Sequence, residues 1–231
     1  MDYNTLLDNN RRWVAEMTAR EPDFFPRLAA VHRPHTLWIG CSDARVPANV
    51  VTGTPAGEMF VHRNIANQVL PTDPNALAVL QYAVEALGVQ DVIVCGHQGC
   101  GGVKAALAGS APAPHVDGWL GTLRMIARLH HDELAAIRGP EARAARLVEL
   151  NVVEQVYNLS RTPVVQAAWA AGRTLRLHGW VYALHDGLLR DLGVTLTGDA
   201  LPLHPASADA PADARPDARA DARTDALLRV G

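Results

Sequence analysis

An apolar run that ends in a glycine-rich turn is the feature that most constrains how this chain can fold. Residues 92–95 read Val-Ile-Val-Cys and predict a buried strand, and four glycines follow within residues 96–102. Glycine permits positive φ and close backbone packing, which a tight turn requires. His97 and Cys100 lie where this strand ends. Because ligands of open α/β sheets gather at the carboxyl ends of strands, this turn is a candidate binding site.

The order of apolar and polar segments predicts an α/β fold. Strands that alternate with helices indicate a mostly parallel central sheet flanked by helices, here with an N-terminal helical arm. We place the arm at residues 4–19, where an apolar stripe recurs at helical spacing, and expect it to pack on a neighbouring subunit. The predicted strands are 36–39, 59–62, 91–95, 174–182 and a short strand or turn at 187–191, and the predicted helices are 23–30, 75–87, 101–107, 119–134 and 141–159.

Length, charge and cysteine content limit the class of protein. The 231 residues are enough for one α/β domain with a full core. A formal net charge of −3 gives no electrostatic reason to expect nucleic acid or an anionic membrane as a partner. No apolar run approaches the length of a membrane span, and the polar N-terminus lacks a signal-peptide core. Three unevenly spaced cysteines fit a cytoplasmic protein whose thiols bind metal or pack, rather than form disulfides.

The composition changes near residue 204. Residues 211–223 repeat the pattern x-Asp-Ala-Arg, which would stack like charges at four-residue spacing on a helix. The repeat also has no large apolar side chain to bury. We therefore predict one domain over residues 1–203, followed by a low-complexity, disordered tail over 204–231.

Two groups of potential ligands point to a zinc site. Zinc takes thiolate, imidazole and carboxylate ligands, and His97-x-x-Cys100 supplies one short pair. A third ligand must come from elsewhere, and Cys41 and Asp43, at the end of the first strand, are the candidates. Three strong ligands with an exchangeable fourth are typical of catalytic zinc. The alternative, a packed thiol and a capped histidine, is the usual meaning of an isolated pair. Cys95, inside the apolar run, is predicted to be a packed thiol.

Arg45 follows Asp43 by two residues. Its guanidinium is planar and permanently charged, so it can draw a carboxylate away from a metal. An ordinary surface ion pair is the alternative, and the adjacency of Cys41 favours a functional role.

These motifs resemble those of the β-class carbonic anhydrases. That family carries Cys-x-Asp-x-Arg, present as Cys41, Asp43 and Arg45, and His-x-x-Cys-Gly-Gly, present at residues 97–102. The likeness extends from about residue 4 to about residue 197 and includes residues 57–67, 151–156 and 178–182.

The resemblance implies one Zn²⁺ per chain, held by Cys41, His97 and Cys100, with water or Asp43 in the fourth position. It implies reversible hydration of carbon dioxide to bicarbonate and a proton by attack of zinc-bound hydroxide. Asp43 would orient the nucleophile while Arg45 holds Asp43, and release of Asp43 onto the metal would close the site. Family members form homodimers, or homotetramers built from dimers.

A bacterial subgroup of the family has a non-catalytic bicarbonate pocket, and this subgroup is the nearest match. Its pocket residues correspond to Trp38, Arg63 and Tyr182, with the arginine offering a bidentate donor set to a planar anion. Bicarbonate bound there would stabilise the closed state. The alternative is that Trp38 and Tyr182 are core aromatics.

The substrate pocket of the family matches Phe60, Ile65 and Tyr82, which could equally be core residues. Two positions depart from the family pattern. Ala44 replaces a serine, and His32 stands nine residues before Cys41, where the family often has a glutamine that hydrogen-bonds the substrate. Two other functions fit the same motifs: hydrolysis of a sulfur analogue such as carbon disulfide, and non-catalytic binding of bicarbonate by a zinc protein.

Overall fold

The structure, a computed structural model, describes residues 2–111 and 113–198. Its strands are β1 (Thr36–Cys41), β2 (Met59–Asn64), β3 (Asp91–His97), β4 (Arg176–Ala183) and β5 (Leu188–Leu196). Its helices are α1 (Tyr3–Arg20), α2 (Phe24–Ala30), α3 (Ala48–Thr52), α4 (Pro74–Gln81), α5 (Gly101–Leu107), α6 (Pro114–Trp119), α7 (Gly121–Leu129), α8 (His131–Ala136), α9 (Pro140–Ser160) and α10 (Pro163–Ala170). The predicted tail at 204–231, and with it the domain boundary at 203, lies outside the described residues.

A five-stranded sheet organises the molecule, in the order β2-β1-β3-β4-β5. The first four strands are parallel, and β5 runs antiparallel to β4. The predicted mostly parallel sheet with flanking helices is therefore confirmed. Because parallel strands end at the same edge, Cys41 of β1 and His97 of β3 are both carried to the carboxyl edge of the sheet.

The two faces of the sheet are covered unequally. Leu37 and Ile39 face a large apolar core, with Val92 and Val94 beside them and α9 packed across it. The opposite face carries a smaller cluster that contains Trp38, Val46, Ala48, Ile93 and Cys95. Alternation of side chains along each strand accounts for this division.

Glycine lets α9 approach the sheet closely. A Cβ atom built on Gly96 would lie 2.8 Å from Val152 Cγ2 and 2.9 Å from Val148 Cγ1, which is too close for any side chain. Gly96 immediately precedes His97. The longest helix therefore packs directly against the strand that carries a candidate ligand.

Several predicted elements have different bounds. The helix predicted at 75–87 is α4 followed by a π-helical stretch at Tyr82–Leu87, which Gly88 ends with a φ of 71°. The helix predicted at 119–134 is broken at His130, whose φ of −104° and ψ of 28° are not helical. The predicted short strand at 187–191 continues to Leu196 because β4 supplies a partner along that length.

The N-terminal arm is present as α1, with Asp2 as its N-cap. No side chain of α1 is buried among the described residues, and Trp13 of the predicted apolar stripe is 43% exposed. Trp13 packs edge-on against Phe24 and Phe25 of α2. The arm thus presents an apolar stripe that its own subunit leaves largely uncovered. Within the described residues, no helix has the length and apolar character needed to cross a membrane.

Candidate metal centre

Three predicted ligands converge at the carboxyl edge of the sheet. The Sγ atoms of Cys41 and Cys100 and a ring nitrogen of His97 all lie within 4.8 Å of one another, and all three residues are buried. The two sulfur atoms are 4.0 Å apart. Cys41 ends β1, His97 ends β3, and Cys100 immediately precedes α5, so the convergence depends on the pairing of β1 with β3.

The His97 ring is oriented to present one nitrogen to the two thiols. Its Nδ1 lies 3.1 Å from the Gln98 carbonyl oxygen, which can only accept a hydrogen bond from it. Its Nε2 is buried beside the Cys41 thiol, and no nitrogen or oxygen atom of the described residues hydrogen-bonds to it. A histidine whose second nitrogen bonds a backbone carbonyl is the usual arrangement of a metal ligand, so a cation beside Nε2 fits this site.

The two thiols interact with each other and with backbone amides. The hydrogen bond from Cys100 lowers the pKa of Cys41 well below its usual value, and the same bond together with burial raises the pKa of Cys100. The His97 side chain and the backbone amides of Asp43 and Ala66 also lower the pKa of Cys41, and two amides of the first turn of α5 oppose the rise in the pKa of Cys100. These donors favour thiolates. Two thiolates with a neutral imidazole form a donor set whose charge a divalent cation balances.

Asp43 lies beside the ligand group and is held by Arg45. The guanidinium Nε donates to Asp43 Oδ1 at 2.9 Å, and Nη2 donates to Oδ2 at 2.6 Å. The Arg45 backbone N–H also donates to Oδ1, at 3.0 Å. The Arg45 hydrogen bonds hold the pKa of Asp43 well below its usual range. Asp43 Oδ2 is 3.7 Å from His97 Nε2, so an ionised carboxylate borders the centre.

Arg63 connects the sheet to the same segment. Its Nε donates to the Cys41 carbonyl at 2.8 Å, and its Nη2 donates to the Asp43 carbonyl. Trp38 is fully buried in the smaller apolar cluster, where Tyr182 is partly buried. The three residues predicted for a bicarbonate pocket are thus an arginine bound to backbone carbonyls and two aromatics of one cluster.

The four predicted substrate-pocket residues do not lie together. Ile65 directly follows β2 and contacts the turn at Gly102, where a Cβ atom would lie 3.1 Å from Ile65 Cγ2. His32, Phe60 and Tyr82 form a separate aromatic cluster, with ring centroids 6.0 Å and 5.8 Å apart. Phe60 precedes the end of β2 by four residues, which is about 13 Å along a strand. Within one chain, this cluster is therefore remote from the metal ligands.

Sequence reasoning missed two kinds of group at this centre. The first is the set of backbone amides that donate to the sulfur atoms, because no side-chain pattern encodes their direction. The second is a row of amide side chains on α9, Asn151, Gln155 and Asn158, which bind the segment after β2. Their spacing of four and three residues on an otherwise apolar helix face was the signal that could have revealed them.

Comparison with known proteins gives the family. A family model described as carbonic anhydrase matches residues 36–189. A carbonic anhydrase of Emericella nidulans is 45% identical over 196 residues, which cover 85% of this chain and 86% of that protein. A carbonic anhydrase of Pseudomonas aeruginosa is 36% identical over 213 residues, covering 87% of this chain and 92% of that one.

Solved structures agree with the sequence comparison. A tetrameric β-carbonic anhydrase of Sordaria macrospora superposes with a TM-score of 0.81 at 38% identity, covering 84% of this chain and 98% of that chain. A Coccomyxa β-carbonic anhydrase, solved with acetazolamide, superposes with a TM-score of 0.81 at 36% identity, covering 85% and 89%. With the Cys41, His97 and Cys100 group at the carboxyl edge of the sheet, these matches show that the chain belongs to the carbonic anhydrase family, in its β class, and is an enzyme of the lyase type.

Proposed function

We propose that this protein interconverts carbon dioxide and bicarbonate, with one zinc ion held by Cys41, His97 and Cys100. The observation that carries the proposal is the convergence of two thiols and an imidazole nitrogen within 4.8 Å of one another at a buried position. When bound, zinc acidifies a coordinated water and so supplies the nucleophile near neutral pH. The two thiolates carry more negative charge than a set of neutral histidines. We therefore expect activity to rise at a higher pH than in a zinc site with three histidines.

Asp43 and Arg45 serve the proposed reaction without binding the metal in this arrangement. Asp43 is ionised, borders the centre, and can accept a hydrogen bond from the attacking water. That bond orients the lone pair of the nucleophile towards the carbon of CO2. Arg45 fixes the direction of the carboxylate through two parallel hydrogen bonds. If Arg45 released Asp43, the carboxylate would be free to move towards the three residues that would hold the metal.

We further propose that the active form is a homodimer or a homotetramer built from dimers. The uncovered apolar stripe of α1 gives a second copy an apolar surface to pack on. The relative from Sordaria macrospora is described as tetrameric, which supports an oligomer. His32, Phe60 and Tyr82 are remote from the ligands of their own chain, and in an oligomer they can line the CO2 path of a second copy.

A regulatory role for bicarbonate at Trp38, Arg63 and Tyr182 is a second proposal, and one contact favours it. Arg63 already holds the Cys41 and Asp43 carbonyls. An anion that attracted the guanidinium would weaken these bonds, so the segment that carries Asp43 would be freed to shift towards the metal. Bicarbonate would then inhibit activity through the closed state.

Cytoplasmic location remains a prediction, supported by three free thiols.

A stopped-flow assay of CO2 hydration by protein of measured zinc content tests the main proposal. We expect rapid hydration with one zinc per chain, and no hydration by Cys41→Ser protein. Carbon disulfide is assayed in parallel. Turnover of carbon disulfide alone would replace the proposal with a hydrolase, and zinc binding without turnover of either substrate would leave a bicarbonate-binding protein.

A further inference from the structure

The backbone just after β2 adopts a conformation that its residues do not favour. Ala66 has a φ of 62° and Asn67 a φ of 45°, and in residues 2–111 and 113–198 they are the non-glycine residues with positive φ. Both are buried, with exposures of 0% and 2%. Left-handed backbone brings Cβ close to the following carbonyl in L-residues, and it persists where surrounding contacts enforce it.

The left-handed turn lies beside a proposed zinc ligand. Cys41 is paired with Asn64, two residues before Ala66, and hydrogen bonding by the Ala66 N–H is one of the effects that lower the pKa of Cys41. A backbone donor on a ligating sulfur fixes the sulfur's position and reduces the charge it presents to a cation. The Ala66 N–H and the Ala66 carbonyl lie in successive peptide planes, and the left-handed φ and ψ of Ala66 set the angle between them. A contact that holds the carbonyl therefore also fixes the direction of the N–H.

Three amide side chains on α9, here named the amide ladder (Asn151, Gln155 and Asn158), hold this turn, and the first two of them are buried. Asn151 Nδ2 donates to the Ala66 carbonyl at 3.0 Å. Gln155 Oε1 accepts from the Val69 N–H at 2.8 Å. Asn158 Nδ2 donates to the Val69 carbonyl at 3.1 Å. The ladder thus binds the segment 66–69 at both of its ends.

The orientation of each amide is set by the next one. Because Gln155 Oε1 accepts from Val69, its Nε2 is directed to Asn151 Oδ1, at 2.9 Å. Asn151 therefore presents its NH2 group to the Ala66 carbonyl. Polar networks of this kind specify one arrangement, because a flipped member would leave two buried groups unpaired.

We propose that the amide ladder is a positioning device for the metal centre, in which Asn151 and Gln155 hold Ala66 left-handed so that its N–H remains on the Cys41 sulfur. This inference rests on the zinc site of the proposed function and adds three residues that do not touch the metal. The close packing of α9 against Gly96, next to His97, supports it, because one helix then sets the approach to two ligands.

Asn151→Asp is the test, since it keeps the size of the side chain and removes the donor to Ala66. We expect zinc affinity, measured by competition with a chelator, to fall about 10–100-fold. We also expect the sulfur-to-cobalt charge-transfer band of the cobalt-substituted protein to shift. Adding Ala66→Gly to Asn151→Asp should recover part of the affinity, because glycine adopts positive φ without steric strain.

Ser160→Ala is the matched control. Ser160 is buried on the same helix, about 13.5 Å along its axis from Asn151, and its hydroxyl donates to the Tyr157 carbonyl. We expect it to lower the unfolding temperature while zinc affinity stays within about twofold. If Asn151→Asp lowers stability in the same way but leaves the zinc affinity and the cobalt spectrum unchanged, the proposal is wrong.

Further measurements distinguish a failure of this proposal from a variant that does not fold and from a failure of the zinc proposal. If Asn151→Asp does not fold, Asn158→Ala is used instead, because it removes only the outer end of the ladder. We expect Asn158→Ala to lower zinc affinity about threefold or more. An unchanged zinc affinity in Asn158→Ala would overturn the proposal. Wild-type protein that binds no zinc would overturn both proposals. If the wild-type protein binds zinc but does not hydrate CO2, and Asn151→Asp lowers the zinc affinity, only the proposed function is contradicted.

Discussion

Arg45 holds both carboxylate oxygens of Asp43, with Nε 2.9 Å from Oδ1 and Nη2 2.6 Å from Oδ2. The pair is asymmetric in exposure, since the arginine side chain is 59% exposed and the aspartate 17%. The exposed partner therefore fixes the direction of a carboxylate that borders the metal ligands. A point charge at position 45 would attract Asp43 but would not impose this two-bond geometry.

Loss of the carboxylate should reduce catalysis more than metal binding. We expect Asp43→Asn to lower kcat/KM for CO2 hydration about 100-fold, with zinc still at one per chain, because the nucleophile loses its orienting acceptor. Arg45→Lys should give an intermediate loss. Arg190→Lys, in an exposed pair with Asp186, is the control and should stay within about twofold. Full activity of Asp43→Asn in the stopped-flow assay would show that Asp43 has no role in the reaction.

Removal of the metal should destabilise the fold. If zinc is present at a thousandfold excess over its Kd, its removal by a chelator should lower Tm by about 10 °C, as expected for about 4 kcal/mol. Cys100→Ser should abolish this zinc-dependent shift. Cys95→Ala is the control: Cys95 lies in the smaller apolar cluster, where burial raises its pKa, and its loss should leave the zinc shift intact. If Cys95→Ala abolished the shift in Tm on zinc removal, the assignment of the zinc ligands would be wrong.

The contact of α9 with β3 should be intolerant of a methyl group. A Cβ on Gly96 would lie 2.8 Å from Val152 Cγ2, so we expect Gly96→Ala to reduce the free energy of unfolding by about 1–3 kcal/mol. Gly96→Ala should cost less in a Val152→Ala background than in the wild type, since one of the two close groups is then absent. Gly121→Ala, where no atom of the described chain lies within 4 Å of the new Cβ, is the control. Denaturant unfolding of the wild type, the three single variants and the double variant measures these differences.

Acid should destabilise the protein in part through His62. This residue is buried on β2, and burial lowers its pKa below the usual 6.5, against a smaller opposing effect of Asp73. As the pH falls below about 6.5, the unfolded chain takes up a proton before the folded protein does, so stability falls. We expect His62→Asn to flatten the decline in unfolding free energy between pH 7.5 and pH 5.5. His185→Asn, at an exposed position, should not. An unchanged slope in His62→Asn would show that other groups govern acid stability.

Local sequence predicted much of the candidate site because its ligands end strands. The apolar runs before Cys41 and before the turn at residues 96–102 identify β1 and β3, and parallel strands end at one edge. The structure extends these strands to Cys41 and His97 themselves. The helix predicted at 119–134 was wrong at His130, because apolar periodicity continues across a break that tertiary packing imposes.

The sequence by itself predicted the alternation of strands and helices, the glycine-rich turn and the pair His97 and Cys100, since these follow from period, propensity and chemistry within short windows. The choice of Cys41 as the third ligand came from the resemblance to the β class. Only the tertiary structure decided that Ala66 is left-handed beneath the amide ladder, that Arg63 binds the Cys41 and Asp43 carbonyls, and that the Phe60 cluster lies away from its own centre. The physical reason is that hydrogen-bond direction and distance depend on how α9 and the strands pack, and no local pattern carries that information.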